Sequence, residues 1–123
     1  MKHHIFIVDD EASIRDLLGK FLTGCGYEVT PIETVHEALK SVHKRTPDLI
    51  ISDLQLEDGD GLEMIGRIKN EFPDIPVILL TGVLFDHEVV DQVLRTKVTC
   101  YLEKTSPLAK IKQTVESLLP PAT

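Results

Sequence analysis

The chain has 123 residues, 42% of them hydrophobic and 27% charged, with a formal net charge of −7. That length suits one domain able to bury its own core, and the composition excludes a disordered chain. The acidic balance argues against this segment gripping nucleic acid through its backbone charges.

Short apolar runs alternate with amphipathic stretches. Met1-Lys2-His3-His4 leads straight into an apolar run without a cleavage site, so no signal peptide is expected; His3-His4 reads either as an exposed lead-in or as taking part in the first strand. Ile5-Phe6-Ile7-Val8 predicts a buried strand. Ile14, Leu17, Leu18, Phe21 and Leu22 mark one face of a helix that Gly24 and Gly26 end. Glu28 to Ile32 is a weaker strand, and Pro31 places it at an edge. Thr34-Val35-His36-Glu37 matches a capping box, opening a helix that carries Val35, Ala38, Leu39 and Val42. After Pro47 comes a third strand, Leu49-Ile50-Ile51, ending at Ser52-Asp53. Glu57 to Gly61 reads as a turn-rich loop, and Leu62, Ile65 and Ile68 mark a third helix, with Met64 at or near its apolar face. Pro76 to Leu80 is a fourth strand ending at Thr81-Gly82. A fourth helix is expected over Asp86 to Leu94, and a fifth strand over Thr99 to Leu102, ending near Lys104. Ser106-Pro107 is read as N-cap and first turn of the last helix, whose apolar residues are Leu108, Ile111, Val115, Leu118 and Leu119.

Strand then helix, five times over, predicts an α/β fold: a flavodoxin-like, doubly wound, five-stranded parallel sheet of order 2-1-3-4-5 with five helices. Residues 1–119 form the domain, and 120–123 are a tail or the start of a linker. No apolar run is long enough to span a membrane. Cys25 and Cys100 lie far apart in no metal-like spacing, so reduced thiols and a cytoplasmic setting are expected.

In such sheets ligands bind at the carboxyl ends of the strands, near the switch in strand order. Asp9 and Asp10 follow the first strand, Asp53 the third, Thr81 the fourth and Lys104 the fifth. Three carboxylates in one pocket repel by about 3–4 kcal/mol per pair at an effective dielectric near 20. Such a cluster calls for a cation, and hard oxygen ligands favour Mg²⁺ or Mn²⁺. With the Lys104 ammonium, the set suits phosphoryl transfer to a carboxylate, with Thr81 hydrogen-bonded to a phosphoryl oxygen.

Val8-Asp9-Asp10-Glu11, Ser52-Asp53-Leu54-Gln55-Leu56, Asp60-Gly61, Leu80-Thr81-Gly82 and Tyr101-Leu102-Glu103-Lys104 together carry a resemblance. Over essentially its full length the chain resembles the receiver domains of two-component response regulators. The resemblance implies a phosphorylation-dependent switch rather than a metabolic enzyme. Asp53 would be the phosphoacceptor, and the donor a phosphohistidine on a sensor histidine kinase or phosphotransfer protein. Asp10 would bind Mg²⁺ directly and Asp9 largely through water, with the Gln55 main-chain carbonyl as a further ligand. Thr81 and Lys104 would clasp the phosphoryl group, and Tyr101 would turn inward when Thr81 moves. Gln55 and Val83 flank the approach to the acyl phosphate and would set its lifetime. The responding face would be the fourth helix, fifth strand and fifth helix. Val83, Leu84 and Phe85 lie where a loop meets the fourth helix and, with Val89, either pack in the ordinary way or form a surface offered to a downstream protein, an output domain or a second copy in a homodimer.

Three departures stand out. Glu57 and Thr105 occupy positions where receivers usually carry proline, and Lys97-Val98 replaces Gly-Ala. A non-proline cis bond costs about 3 kcal/mol, so Lys104–Thr105 is expected to be trans. These departures motivate one alternative, a receiver-like binding module that works without phosphate. A flavodoxin-like electron carrier is a weaker rival, because Asp9-Asp10-Glu11 would repel a flavin phosphate. A metal-dependent phosphatase acting on external substrates is conceivable from the acids alone, and the expected absence of a lid or second domain in these residues counts against it.

Overall fold

The computed structural model describes residues 2–82 and 99–119. Its five-stranded parallel sheet has strands β1 (His4–Val8), β2 (Glu28–Ile32), β3 (Leu49–Ser52), β6 (Val77–Thr81) and β7 (Cys100–Glu103). A small antiparallel hairpin, β4 (Gln55–Leu56) and β5 (Gly59–Asp60), stands apart from them. The sheet order is β2-β1-β3-β6-β7, the doubly wound order expected. Helices α1 (Ala12–Gly24), α2 (Val35–Lys44), α3 (Gly61–Glu71) and α4 (Leu108–Leu118) are described. The helix expected over 86–94 lies outside the described residues.

Side chains alternate across a pleated strand, and this divides the core in two. Ile5, Ile7, Leu49, Ile51, Ile78 and Leu80 face one way, onto Leu18 and Leu22 of α1 and Ile111 and Val115 of α4. Phe6, Val8, Ile50, Val77 and Leu79 face the other way, onto Ala38 and Val42 of α2 and Met64, Ile65 and Ile68 of α3. Both faces of the central strands are therefore dry, which is why those strands read as unbroken apolar runs. Pro31 sits on edge strand β2, where its missing N–H costs least.

Local chemistry sets the helix ends. Gly26 has φ +97°, and the amides of Gly26 and Tyr27 reach back to the carbonyls of Thr23 and Leu22, closing α1 with a left-handed residue. The Thr34 hydroxyl accepts from the Glu37 amide at 3.1 Å and caps α2.

Four readings need correction. Leu17 is 50% exposed, because Leu18 and Leu22, a rotation away on α1, occupy the core-facing stripe. For His4 the exposed reading gives way to the strand-one reading: it opens β1 at 4% exposure, its ring edge-on to Phe6 and its Nε2 2.6 Å from the Thr30 hydroxyl. The 57–61 segment is not only turn, since the hairpin closes around Glu57-Asp58. Pro107, not Ser106, is the N-cap residue of α4; the Ser106 amide is drawn back to the Glu103 carbonyl in a tight turn. The described residues contain no cis peptide bond, so Lys104–Thr105 is trans, as expected.

Candidate functional site

Register aligns the strand ends. Val8 pairs with Ser52 and Ser52 with Leu79, while Thr81 pairs with Glu103. The ladder runs one residue further on both central strands: the Asp9 amide donates to the Ile32 carbonyl and the Asp53 amide to the Val8 carbonyl. The backbones of Asp9 and Asp53 are thus fixed side by side before any side chain is placed.

Lys104 leaves the end of β7 and reaches across this rim. Its Nζ donates to Asp53 Oδ2 at 2.9 Å, Glu11 Oε1 at 2.7 Å and Asp9 Oδ1 at 3.3 Å. The Lys104 side chain is 11% exposed and Asp9 only 1%. Burial alone would lower the pKa of the ammonium, but the carboxylates of Glu11, Asp53 and Asp9 outweigh it and raise the pKa above the ordinary lysine value. Asp9 shifts upward too. Its burial raises the carboxyl above the ordinary range, against the pull of the Glu11 amide and the Lys104 ammonium.

One acceptor is left over. Asp9 Oδ2 lies 3.1 Å from Lys104 Nζ, an ion-pair contact without hydrogen-bond geometry, and this buried oxygen has no donor. Asp9, Asp10, Glu11 and Asp53 each offer a carboxylate oxygen, all within 4.8 Å of one another. Four negative charges against one ammonium leave the cluster short of positive charge, at a cost on the order of 3–4 kcal/mol per close pair. This acidic pocket, with its unmatched buried oxygen and all-oxygen donor set, fits a hard divalent cation.

The site opens into a cleft of about 250 Å³ lined by Asp10, Glu11, Asp53, Leu54, Gln55, Gly82 and Lys104. A wider surface groove of about 560 Å³ runs between α1 and β2, but the carboxylate cluster does not line it. The loop after Asp53 is closely held. Asp53 Oδ1 accepts from the Leu54 amide at 2.7 Å, and the Gly61 amide donates to the Leu54 carbonyl at 2.8 Å. The Asp60 carboxylate caps α3 at the Leu62 amide.

The structure therefore brings together Asp9, Asp10, Asp53 and Lys104, which the strand-end reading names, and Gln55, which the resemblance adds. Thr81 is the last residue of β6, but the part expected of its hydroxyl lies outside what is described. So do Val83, Leu84, Phe85, Val89 and Lys97-Val98. Tyr101, on β7, is 36% exposed. Two contributors escaped the sequence reading. Glu11 sits at the N-cap position of α1 without capping it by its side chain, which turns instead to Lys104. Arg15 returns from α1 to donate to the Asp9 carbonyl at 2.6 Å. The sequence signal for Glu11 was its place directly after Asp9-Asp10.

Residues 5–116 match the family model of the response regulator receiver domain. The chain belongs to that family. It is 41% identical over 77 residues to the DNA-binding transcriptional regulator NtrC of Klebsiella pneumoniae, covering 63% of this chain and 16% of that protein. It is 34% identical over 107 residues to the transcriptional regulatory protein GlrR of Escherichia coli, covering 87% and 23% respectively. Among solved structures, chemotaxis protein CheY4 of Vibrio cholerae superposes with a TM-score of 0.89 at 26% identity, covering 97% of this chain and all (100%) of that one. The chain thus spans a quarter or less of the length of those two regulators. As a receiver domain of the two-component type it is a signalling module, not a metabolic enzyme. No helix among the described residues is long and apolar enough to cross a membrane.

Proposed function

We propose that this receiver domain accepts a phosphoryl group on Asp53 with Mg²⁺ held at the acidic pocket. The observation that carries the reading is the Lys104 ammonium 2.9 Å from Asp53 Oδ2, beside a buried Asp9 oxygen that no donor meets. An Asp53 oxygen attacks the phosphorus of a phosphohistidine. The P–N bond breaks, the imidazole leaves with the electron pair and takes up a proton, and an acyl phosphate forms. Asp10 and Asp53 would hold the metal with the Gln55 main-chain carbonyl, and Asp9 would do so largely through water. When bound, Mg²⁺ neutralises charge on the phosphoryl oxygens. Lys104 exchanges its contact with Asp53 for one with the new phosphoryl group, and Thr81 hydrogen-bonds to it. Tyr101 then turns inward, and the face that includes β7 and α4 shifts between two populations. Water attack on the phosphorus returns the Asp53 carboxylate and inorganic phosphate. The donor would be a sensor histidine kinase or phosphotransfer protein in the cytoplasm. The switch would control an output domain or a separate downstream protein.

Incubation with acetyl phosphate and Mg²⁺, followed by intact mass, tests the reading. One added phosphoryl group is expected, and none in Asp53→Asn or in chelator. No adduct in the wild type, with beryllofluoride also failing to bind, would move the reading to a binding module that works without phosphate.

Glu11 adds a negative charge to the acidic pocket. Glu11→Gln is expected to weaken Mg²⁺ binding roughly fivefold, about 1 kcal/mol for one nearby charge facing solvent. The fold should keep its urea midpoint, because the Glu11 carboxylate is largely exposed. Calorimetric titration with Mg²⁺ reads the first effect, and equal affinity would remove Glu11 from the site.

A further inference from the structure

The hairpin that carries Gln55 is tied to α2 by one side chain. Asp58 lies in the two-residue turn between β4 and β5, and its two carboxylate oxygens accept from the first two amides of α2, Val35 at 2.8 Å and His36 at 3.1 Å. The hairpin also approaches α2 closely at the next residue: a Cβ on Gly59 would sit 3.3 Å from Val35 Cγ2. The other anchors of this loop lead elsewhere. Leu56 is buried in the core, and Asp60 and Gly61 fasten the far end at the start of α3. The tip itself carries no proline, since Glu57 and Asp58 form the turn. A carboxylate on two free amides at a helix N-terminus combines charge-assisted hydrogen bonds with a favourable dipole.

We propose that Asp58 is a positioning residue for the metal pocket: by clamping the hairpin tip to the N-terminus of α2 it holds the Gln55 carbonyl where the pocket needs it. The inference rests on the function proposed above and extends it to a residue outside the cleft. It couples the Asp58 contact with the Val35 and His36 amides to the pocket, and the coupling is reciprocal. A metal ion that orders the Gln55 segment also orders the Asp58 clamp, so the amides of Val35 and His36 exchange more slowly in its presence.

The test uses the full chain and Mg²⁺ alone. Mg²⁺ affinity is measured by calorimetry, and amide exchange by NMR with and without metal. Asp58→Ala is expected to weaken Mg²⁺ binding about three- to tenfold and to abolish the metal-dependent protection of Val35 and His36. Asp58→Asn keeps one acceptor oxygen, and its affinity should fall between the two. Two controls separate the rival causes. Thr34→Ala removes a different cap from the same helix, and Glu57→Gln removes a neighbouring charge without touching the clamp. Both should bind Mg²⁺ within twofold of the wild type. An equal loss in Thr34→Ala would reduce Asp58 to a helix cap, and an equal loss in Glu57→Gln would reduce it to a charge; either overturns the proposal. Wild-type binding unaltered in Asp58→Ala overturns the clamp alone, whereas a wild type that binds no Mg²⁺ overturns the pocket reading and the clamp with it.

Discussion

Lys104→Met is expected to unfold about 3 kcal/mol more easily than the wild type when divalent metal is chelated, the range seen when one partner of a buried ion pair is removed. Methionine fills the same space but leaves Asp9, Asp53 and Glu11 without their shared cation. Millimolar Mg²⁺ should restore most of the loss, because a metal that binds only the folded state stabilises it by mass action. Its affinity should exceed that of the wild type, since no ammonium competes for the same oxygens. Phosphoryl transfer should nevertheless fall about a hundredfold, the usual loss when one positioned donor is taken from developing charge. Urea titrations in chelator and in Mg²⁺ read the stability, and intact mass over time reads the transfer. Equal midpoints in chelator would mean that the Lys104 contacts contribute nothing to the fold.

The same variant has a pH signature. Burial already holds the Asp9 carboxyl above its unfolded value of 3.8, and Lys104 opposes that rise. Removing the ammonium lets the folded value climb further. A carboxyl raised on folding adds stability that is fully present below the unfolded value and disappears as pH rises through the folded one. Relative to the wild type, Lys104→Met should therefore recover stability as pH falls through the raised folded value of Asp9 toward its unfolded one. A gap that stays constant over that interval would place the cost outside Asp9.

Gly61→Ala is the second large effect, and its cause is steric. Gly61 does not have positive φ; in the described residues only Gly26 does. A Cβ on Gly61 would collide with the Asp53 carbonyl oxygen and fall 2.9 Å from that of Leu54. Both obstacles are backbone, so neither can rotate away, and relief must displace Asp53 or the first turn of α3. A cost of about 3 kcal/mol is expected, at the upper end for overpacking a close contact. Mg²⁺ binding and phosphoryl transfer should fail together, because the displaced atoms belong to the residue that supplies the acceptor carboxylate. Gly66 is the control. It lies inside the same helix, and a methyl group there would meet nothing within 4 Å, so Gly66→Ala should add up to about 1 kcal/mol. Comparable urea midpoints for the two alanine variants would rule out the clash.

Much of this molecule was legible in the residue order because the signals are local. The unbroken apolar run Ile5-Phe6-Ile7-Val8 announces a strand buried on both faces, and its pleat becomes the partition of the two cores. Asp9, Asp53 and Lys104 stand at strand ends, and parallel strands put those ends on one rim. Other features were not legible. Glu11 could have capped α1, and Ser106 could have capped α4. Each goes elsewhere because a partner distant in sequence, or a tight turn, competes for it. Asp58 carries no motif, and its partners lie more than twenty residues back along the chain.

The sequence by itself determined the doubly wound sheet and which acids and which lysine reach its carboxyl edge, because strand period and strand-end position are properties of a few neighbouring residues. Only the tertiary structure decided how those charges share one another. Whether the Lys104 ammonium meets Asp9, Glu11 or Asp53, and which carboxylate oxygen remains unmatched, depends on ångström distances between residues up to 95 positions apart. Those distances come from sheet register and loop closure, and Coulomb energy changes steeply across them.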